Sequence, residues 1–325
     1  MIQPIPEDME SVYPEPVFGE TVRDKLLELL GVPEIPESVE YTIEPAEKTP
    51  DGLLISEVAY PNSIGEMVPA RLCMPAGVHP ATLPGIVCLP GTSGSASRLT
   101  HPIFRRESTG SGSLSGWGRE LARRGFATLS ISVKGCDGRP DSRIRELQAK
   151  VLGPYGRTLM GIAVDEALRG AKILREQLPA GQQVGMAGMS LGGNITWYAM
   201  ACAPWISAAV PVCGGLGSMT TLIQEGDLER HSAYYFVPHL LRYFDHPEIV
   251  AACIAPRPFM MIAPTLDEDM PVAGVTKLVK VVSQAYNVAG HPERFHVCRP
   301  ETHHEFQIEF FEKMVKWFNR FLSAK

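Results

Sequence analysis

Ser190 stands in the run Val184-Gly185-Met186-Ala187-Gly188-Met189-Ser190-Leu191-Gly192-Gly193-Asn194, which reads as a short strand, a Gly-x-Ser-x-Gly turn and a helix start. A serine at a tight strand-to-helix turn projects its hydroxyl out of the sheet. Gly188 and Gly192 allow the strained backbone and close packing that such a turn needs. The helix that follows aims backbone N–H groups, that of Leu191 first, at negative charge developing beside the hydroxyl. Ser190 is therefore the candidate nucleophile of an acyl transfer. The motif alone is a weak signal, because a chain rich in glycine and serine can produce it by composition. Its single occurrence, between a buried-strand pattern and a helix, argues against an ordinary turn.

A serine hydroxyl is a poor nucleophile at neutral pH and needs a base within hydrogen-bond reach and a third group to orient that base. The order expected in this topology is serine, acid, histidine. Pro264-Thr265-Leu266-Asp267-Glu268-Asp269-Met270-Pro271 follows a strand pattern and puts carboxylates at its C-terminal end, where catalytic loops gather. Asp267 is the preferred acid, with Asp269 and then Glu268 as rivals. An N-cap for the helix after Pro271 would explain Asp269 better than Asp267. For the base, Thr302-His303-His304-Glu305-Phe306 follows the last strand and opens the C-terminal helix, and His304 is preferred to His303. A tandem histidine could ligate a metal, but no acid or cysteine stands at a familiar ligand spacing around it, so no metal is expected. The loop Leu89-Pro90-Gly91-Thr92-Ser93-Gly94 is placed to supply a second oxyanion donor, the Thr92 N–H beside that of Leu191. It carries no Gly-x-Gly-x-x-Gly pattern and no Walker-type lysine, which argues against a nucleotide site.

These residues need a sheet whose strand ends gather them. Ile86 to Leu89, Ala127 to Ser132, Val184 to Ala187, Ala208 to Cys213 and Phe259 to Ala263 are short apolar runs of the kind buried in a parallel sheet, and Arg294 to Val297 is a last strand. Helical spacing alternates with them over Ser115 to Arg124, Thr158 to Gln177, Leu191 to Ala203, Val272 to Asn287 and Glu305 to Leu322. The alternation predicts a doubly wound α/β sheet with right-handed crossovers. Upstream, Leu53 to Tyr60 and Met67 to Met74 read as an antiparallel hairpin. The first fifty residues form an arm carrying one amphipathic helix, Val22 to Leu30, stopped by Gly31 and Pro33, and residues 51–325 form the catalytic domain. Gly214 to Cys253 breaks the rhythm; its aromatic residues suit either a cap or an extra helical pair over a sheet edge.

With 325 residues, 45% hydrophobic and 20% charged, the chain can bury a substantial core. A net charge of −6 without a long basic run disfavours nucleic acid and attachment to an anionic membrane, and a small neutral substrate fits better. The N-terminus lacks the apolar core of a secretory signal, and no apolar run is long enough to span a bilayer. Seven cysteines, an odd count without a Cys-x-x-Cys pair, read as reduced, buried thiols in a cytoplasmic protein. The acidic arm, Glu7 to Glu20, could mediate homo-oligomer contacts or fray.

Together these residues resemble the α/β-hydrolases, and among them the dienelactone-hydrolase-like and acetyl xylan esterase-like esterases, from about Val68 to the C-terminus. Besides the serine turn, the likeness rests on Trp117-Gly118-Arg119-Glu120-Leu121-Ala122-Arg123-Arg124-Gly125, on Gly135-Cys136-Asp137-Gly138-Arg139, on Ala255-Pro256-Arg257-Pro258 and on His304-Glu305-Phe306. The resemblance implies an α/β-hydrolase fold with an N-terminal antiparallel hairpin and a helical, aromatic insertion. It also implies a serine hydrolase with Ser190, Asp267 and His304 as its triad and no cofactor. His231 and Tyr235 are implied pocket residues, with Gly91 and Trp117 counted as substrate-binding. Two departures bear on substrate identity: the oxyanion loop reads Pro-Gly-Thr-Ser-Gly rather than a His-Gly form, and Ser95 to Ser115 looks like an insertion at the pocket mouth. The function expected is hydrolysis of a small ester, an acetyl ester or a lactone. A serine peptidase or amidase of the same fold and a non-catalytic ligand-binding protein are the alternatives.

Overall fold

The computed structural model describes residues 20–92, 94–106, 113–139 and 142–322. The acidic arm before Glu20, Ser93 of the expected oxyanion loop and residues 107–112 of the expected insertion lie outside the described residues.

Twelve strands occur among the described residues: β1 (Thr42–Ile43), β2 (Glu47–Lys48), β3 (Leu53–Pro61), β4 (Met67–Pro75), β5 (Gly85–Leu89), β6 (Arg105–Arg106), β7 (Leu114–Ser115), β8 (Ala127–Ile131), β9 (Val184–Met189), β10 (Ala208–Val212), β11 (Phe259–Ile262) and β12 (Phe295–Cys298). Ten of them form one sheet in the order β1-β3-β4-β8-β5-β9-β10-β11-β12, with β2 also paired to β3; β6 and β7 form a separate ribbon. From β8 to β12 every pairing is parallel, whereas β3, β4 and β8 pair antiparallel. The hairpin and the buried-strand runs thus occupy the places their patterns predict. After β5 the chain goes first to β8 on one side and then crosses to β9 on the other. The carboxyl end of β5 is therefore a topological switch point, where connections diverge and leave a crevice.

Helices cover both faces: α1 (Glu20–Leu30), α2 (Ala96–Leu99), α3 (Trp117–Arg123), α4 (Ser142–Leu152), α5 (Leu159–Glu176), α6 (Leu191–Cys202), α7 (Met219–Glu225), α8 (His246–Ile249), α9 (Val272–Val288) and α10 (Ile308–Phe321). Side chains alternate across the strands, so Val87, Phe259 and Met261 join the core under α1, α5, α6 and α9, while Ile86, Cys88, Met260 and Ile262 face α3 and α10. Helix α6 is apolar nearly all round and only Leu191 is not buried, as expected of a helix enclosed by its neighbours. Helix α10 is instead amphipathic, with Phe310, Phe311, Met314, Trp317 and Phe318 on its buried face. The N-terminal helix packs on the sheet's helical layer, with Val22, Leu26 and Leu30 in the main core and Gly31 at φ 67 ending it.

Two boundaries differ from expectation. Helix α10 begins at Ile308, capped by Gln307, so His304 lies in the loop before it rather than in its first turn. Phe306, fully buried against Trp117 with ring centroids 5.7 Å apart, pins that loop to the core and delays the helix. Helix α4 is an element beyond those expected, and its Leu147 and Val151 are exposed. The stretch after β10 resolves into α7, three 3₁₀ turns, α8 and a π-helical turn at Val250–Ile254. No described helix is long and apolar enough to cross a membrane. Six cysteines, 73, 88, 202, 213, 253 and 298, are buried free thiols.

Candidate active site

Ser190 joins the central strand β9 to α6 with φ 56 and ψ −120, a backbone conformation that costs energy in any residue with a Cβ. Close packing holds it there. A methyl group at Gly188 would stand 2.2 Å from the Gly192 carbonyl oxygen, and one at Gly192 would stand 2.0 Å from that of Leu89. A serine at the N-cap ordinarily accepts a bond from the second or third helical N–H, but the Ser190 side chain makes no capping bond. Its carbonyl accepts the Asn194 N–H at 3.0 Å as the first bond of the helix, which leaves the N–H groups of Leu191, Gly192 and Gly193 without intrahelical partners. The loop after β5 lies alongside: a Cβ on Gly91 would meet the Ser190 Cβ at 3.5 Å, and Thr92 next to it is exposed. A hydroxyl, a set of unused donors and a small-residue loop therefore share one corner.

His304 and Asp267 meet from different strand ends. The His304 imidazole donates through Nδ1 to both Asp267 oxygens, at 3.0 and 3.1 Å. Asp267 follows β11 and is the more enclosed of the two acids at this imidazole; Asp269 Oδ2 stands 3.2 Å from the same nitrogen. Asp269 is not the cap of α9, a place taken by Pro271. It pairs instead with Arg230 at 3.0 Å, which also reaches Glu268 at 2.6 Å. His303 is exposed. Among the described residues, Ser190 forms no hydrogen bond to either partner of the Asp267–His304 pair. Its connection to them runs through the sheet. The Ser190 N–H donates to the Val212 carbonyl at 2.9 Å, and Val212 leads into Cys213, whose Sγ clusters with the Asp267 and His304 donor atoms within 4.8 Å.

Burial would push the Asp267 carboxyl up, but the His304 hydrogen bond and charge, with the Asp269 N–H and the Cys213 thiol, hold it below the ordinary range. Burial would likewise pull His304 down; the hydrogen bond and charge of Asp267 and the charge of Asp269 outweigh it, so the imidazole sits above 6.5. Each partner thus favours the charged form of the other.

The other expected residues fall into two groups. His231 stacks on Tyr235 at 4.4 Å between centroids and its Nε2 contacts the Asp269 carbonyl at 2.6 Å, which puts the pair directly behind the acid loop. Tyr235 is 2% exposed and its hydroxyl donates to the Gly215 carbonyl, so it braces this wall from within. Trp117, expected to touch substrate, is a core residue instead: it is 2% exposed and packs under Phe306, supporting the loop that carries His304.

Cys213 and Arg230 were not singled out from sequence. A positional signal existed for Cys213, since it directly follows the strand next to the serine strand, where loop residues converge. Nothing local marks Arg230. The thiol, carboxylate and imidazole are donor types that suit zinc, a juxtaposition that linear spacing could not reveal. An ion there would have to displace the Asp267 hydrogen bond at Nδ1 and ionise a thiol that burial pushes well above 9.

Residues 218–319 match the model of an abhydrolase family. Over 186 residues the chain is 28% identical to the Bacillus subtilis (strain 168) protein named "Putative hydrolase YtaP", a match spanning 57% of this chain and 61% of that protein. Its fold is similar to that of acetyl xylan esterase from Paenibacillus sp. R4, with a TM-score of 0.65 and 18% identity over 98% of this chain and all of that one. A glucuronoyl esterase from Solibacter usitatus superposes with a TM-score of 0.65 at 14% identity, covering 91% of each chain.

Proposed function

We propose that this chain, an α/β-hydrolase superfamily protein related to the dienelactone-hydrolase-like and acetyl xylan esterase-like esterases, hydrolyses carboxylic esters through an acyl-enzyme on Ser190. The observation that carries the reading is the Asp267–His304 hydrogen bond of 3.0 Å, tied across neighbouring strand ends to a strained serine whose hydroxyl caps nothing. In the mechanism, Ser190 Oγ attacks the ester carbonyl while His304 Nε2 takes its proton. Asp267 keeps Nδ1 protonated and stabilises the imidazolium. The N–H groups of Leu191 and Thr92 receive the oxyanion as it forms. Collapse breaks the bond to the alcohol, which leaves with the proton from His304. Water then repeats the sequence on the acyl-enzyme, releasing the acid and restoring the serine.

The test is Ser190→Ala assayed on p-nitrophenyl acetate, with fluorophosphonate labelling in parallel. Turnover should fall by at least about 10⁴-fold while the circular dichroism spectrum is kept, and the label should attach to wild type only. Undiminished turnover in the variant would remove Ser190 from the chemistry. Cleavage of aryl amides faster than of matched esters would favour the amidase alternative.

A further inference from the structure

An apolar cleft lined in part by Leu89 and Leu191, beside the serine turn, is not used by the mechanism above. Ile131, Val133, Met160, Ala163, Ile195 and Tyr234 line the rest of it. It occupies the crevice at the switch point between β8 and β9, where doubly wound sheets bind ligands. Besides the Tyr234 hydroxyl, three polar residues line it, and their groups are committed elsewhere. Glu166 accepts from Arg139 at 2.9 and 2.5 Å and from Asn62 at 2.7 Å; Lys134 pairs with Glu66 and donates to Gln148 at 2.9 Å; Ser132 donates to Asp137 at 2.5 Å. A sugar hydroxyl entering this cleft would lose its water and find few free partners, whereas a hydrocarbon chain loses nothing.

The sheet order says which half of an ester enters. His304 must hand its proton to the leaving alcohol, and Asp267 and His304 arrive from β11 and β12, on one side of the serine strand. The alcohol therefore leaves toward that side. The cleft lies on the other side of the serine strand, along the ends of β5 and β8, where an acyl chain can extend away from the histidine. We infer that this cleft is an acyl pocket and that the preferred substrates are esters of medium-length, unbranched aliphatic acids rather than acetyl esters. This inference rests on the serine mechanism proposed above.

The experiment compares ethyl octanoate with its isomer octyl acetate, and p-nitrophenyl acetate with the butyrate and octanoate, on the full-length protein. Each methylene that enters the cleft should raise kcat/KM by about fourfold, the equivalent of about 0.8 kcal/mol of apolar burial. Ethyl octanoate should be cleaved well ahead of octyl acetate. Ala163→Trp, which fills the cleft, should lose at least about tenfold on octanoate and little on acetate. Ala163→Leu provides the same reading if the larger side chain lowers the melting temperature. Calorimetric binding of sodium octanoate, weaker in Ala163→Trp and in both cases independent of turnover, separates the cleft from the chemistry. Octanoate that binds while no ester is turned over leaves the pocket standing and removes the serine mechanism. Acetate turnover with no gain along the acyl series, a preference for octyl acetate, or no octanoate binding would each overturn the acyl-pocket assignment.

Discussion

Gly192→Ala is the sharpest probe of how the serine is held. The new methyl carbon would lie 2.0 Å from the Leu89 carbonyl oxygen and 2.6 Å from that of Pro90, where real contacts are not shorter than 3.0 Å, so a retreat of at least 1.0 Å is required. Leu89 ends β5, which is paired on both sides, and cannot readily yield. The retreat falls to the start of α6, but there Gly193 is already packed so that a Cβ on it would come 2.7 Å from the Gly214 Cα. The helix start is wedged between two loops, and Ser190 and the Leu191 N–H move with it. A displacement of about 1 Å at reacting atoms costs about 100-fold in rate, while overpacking costs about 1–3 kcal/mol in stability. With about 2.1 cal/mol/K of unfolding entropy per residue, that corresponds to a fall of about 1.5–4 °C in Tm. The assay is kcat on a p-nitrophenyl ester beside a thermal melt. A variant that keeps kcat within about threefold of wild type would show that close packing at Gly192 does not set the position of the nucleophile.

Two further predictions test the surroundings of the site. Arg139 and Glu166 form a buried, two-pronged ion pair, with side chains 2% and 6% exposed, that ties the loop after β8 to α5 beside the apolar cleft. Glu166→Leu alone should cost about 3 kcal/mol in chemical denaturation because it leaves the buried guanidinium with only Glu66, 3.7 Å away, as an opposing carboxylate among the described residues, whereas the double variant Arg139→Met/Glu166→Leu should recover most of that loss; equal losses in both would refute the pairing argument. The second concerns pH. In the proposed mechanism His304 must be neutral to act as a base, and its pKa is raised, so activity should climb as pH rises through a value above 6.5 and be lost on the acid side. Asp269→Asn removes one of the charges that raise it, so the acid limb should shift to lower pH in the kcat/KM profile; an unmoved limb would exclude Asp269 from the electrostatics of the imidazole.

Much of the fold was legible because its signals are local. The runs that became β5, β8, β9, β10 and β11 are short, apolar and bounded, and their alternation with helical spacing leaves few ways to arrange a sheet. The hairpin of β3 and β4 announced itself by the turn residues between two strand patterns. Helix α4 carries a helical apolar spacing, Ile144, Leu147 and Val151, but sits between strand patterns as an addition to the strand-helix alternation, and its Leu147 and Val151 are exposed. The start of α10 was misplaced because its position depends on Phe306 being captured by Trp117, a contact between residues nearly two hundred positions apart.

By itself, the amino-acid sequence determined the strained serine turn, since Gly188, Ser190 and Gly192 can meet their steric demands only in that order, and it supplied acids and histidines at the ends of successive strands. Tertiary structure alone decided which of them meet. That Asp267 and Asp269 share one imidazole, that Cys213 stands beside them, that Trp117 faces the core and that an apolar cleft opens at the switch point are results of strand order and packing. The reason is physical: hydrogen bonds and steric contacts act over a few ångströms, and only closure of the sheet brings residues from distant parts of the chain within that range.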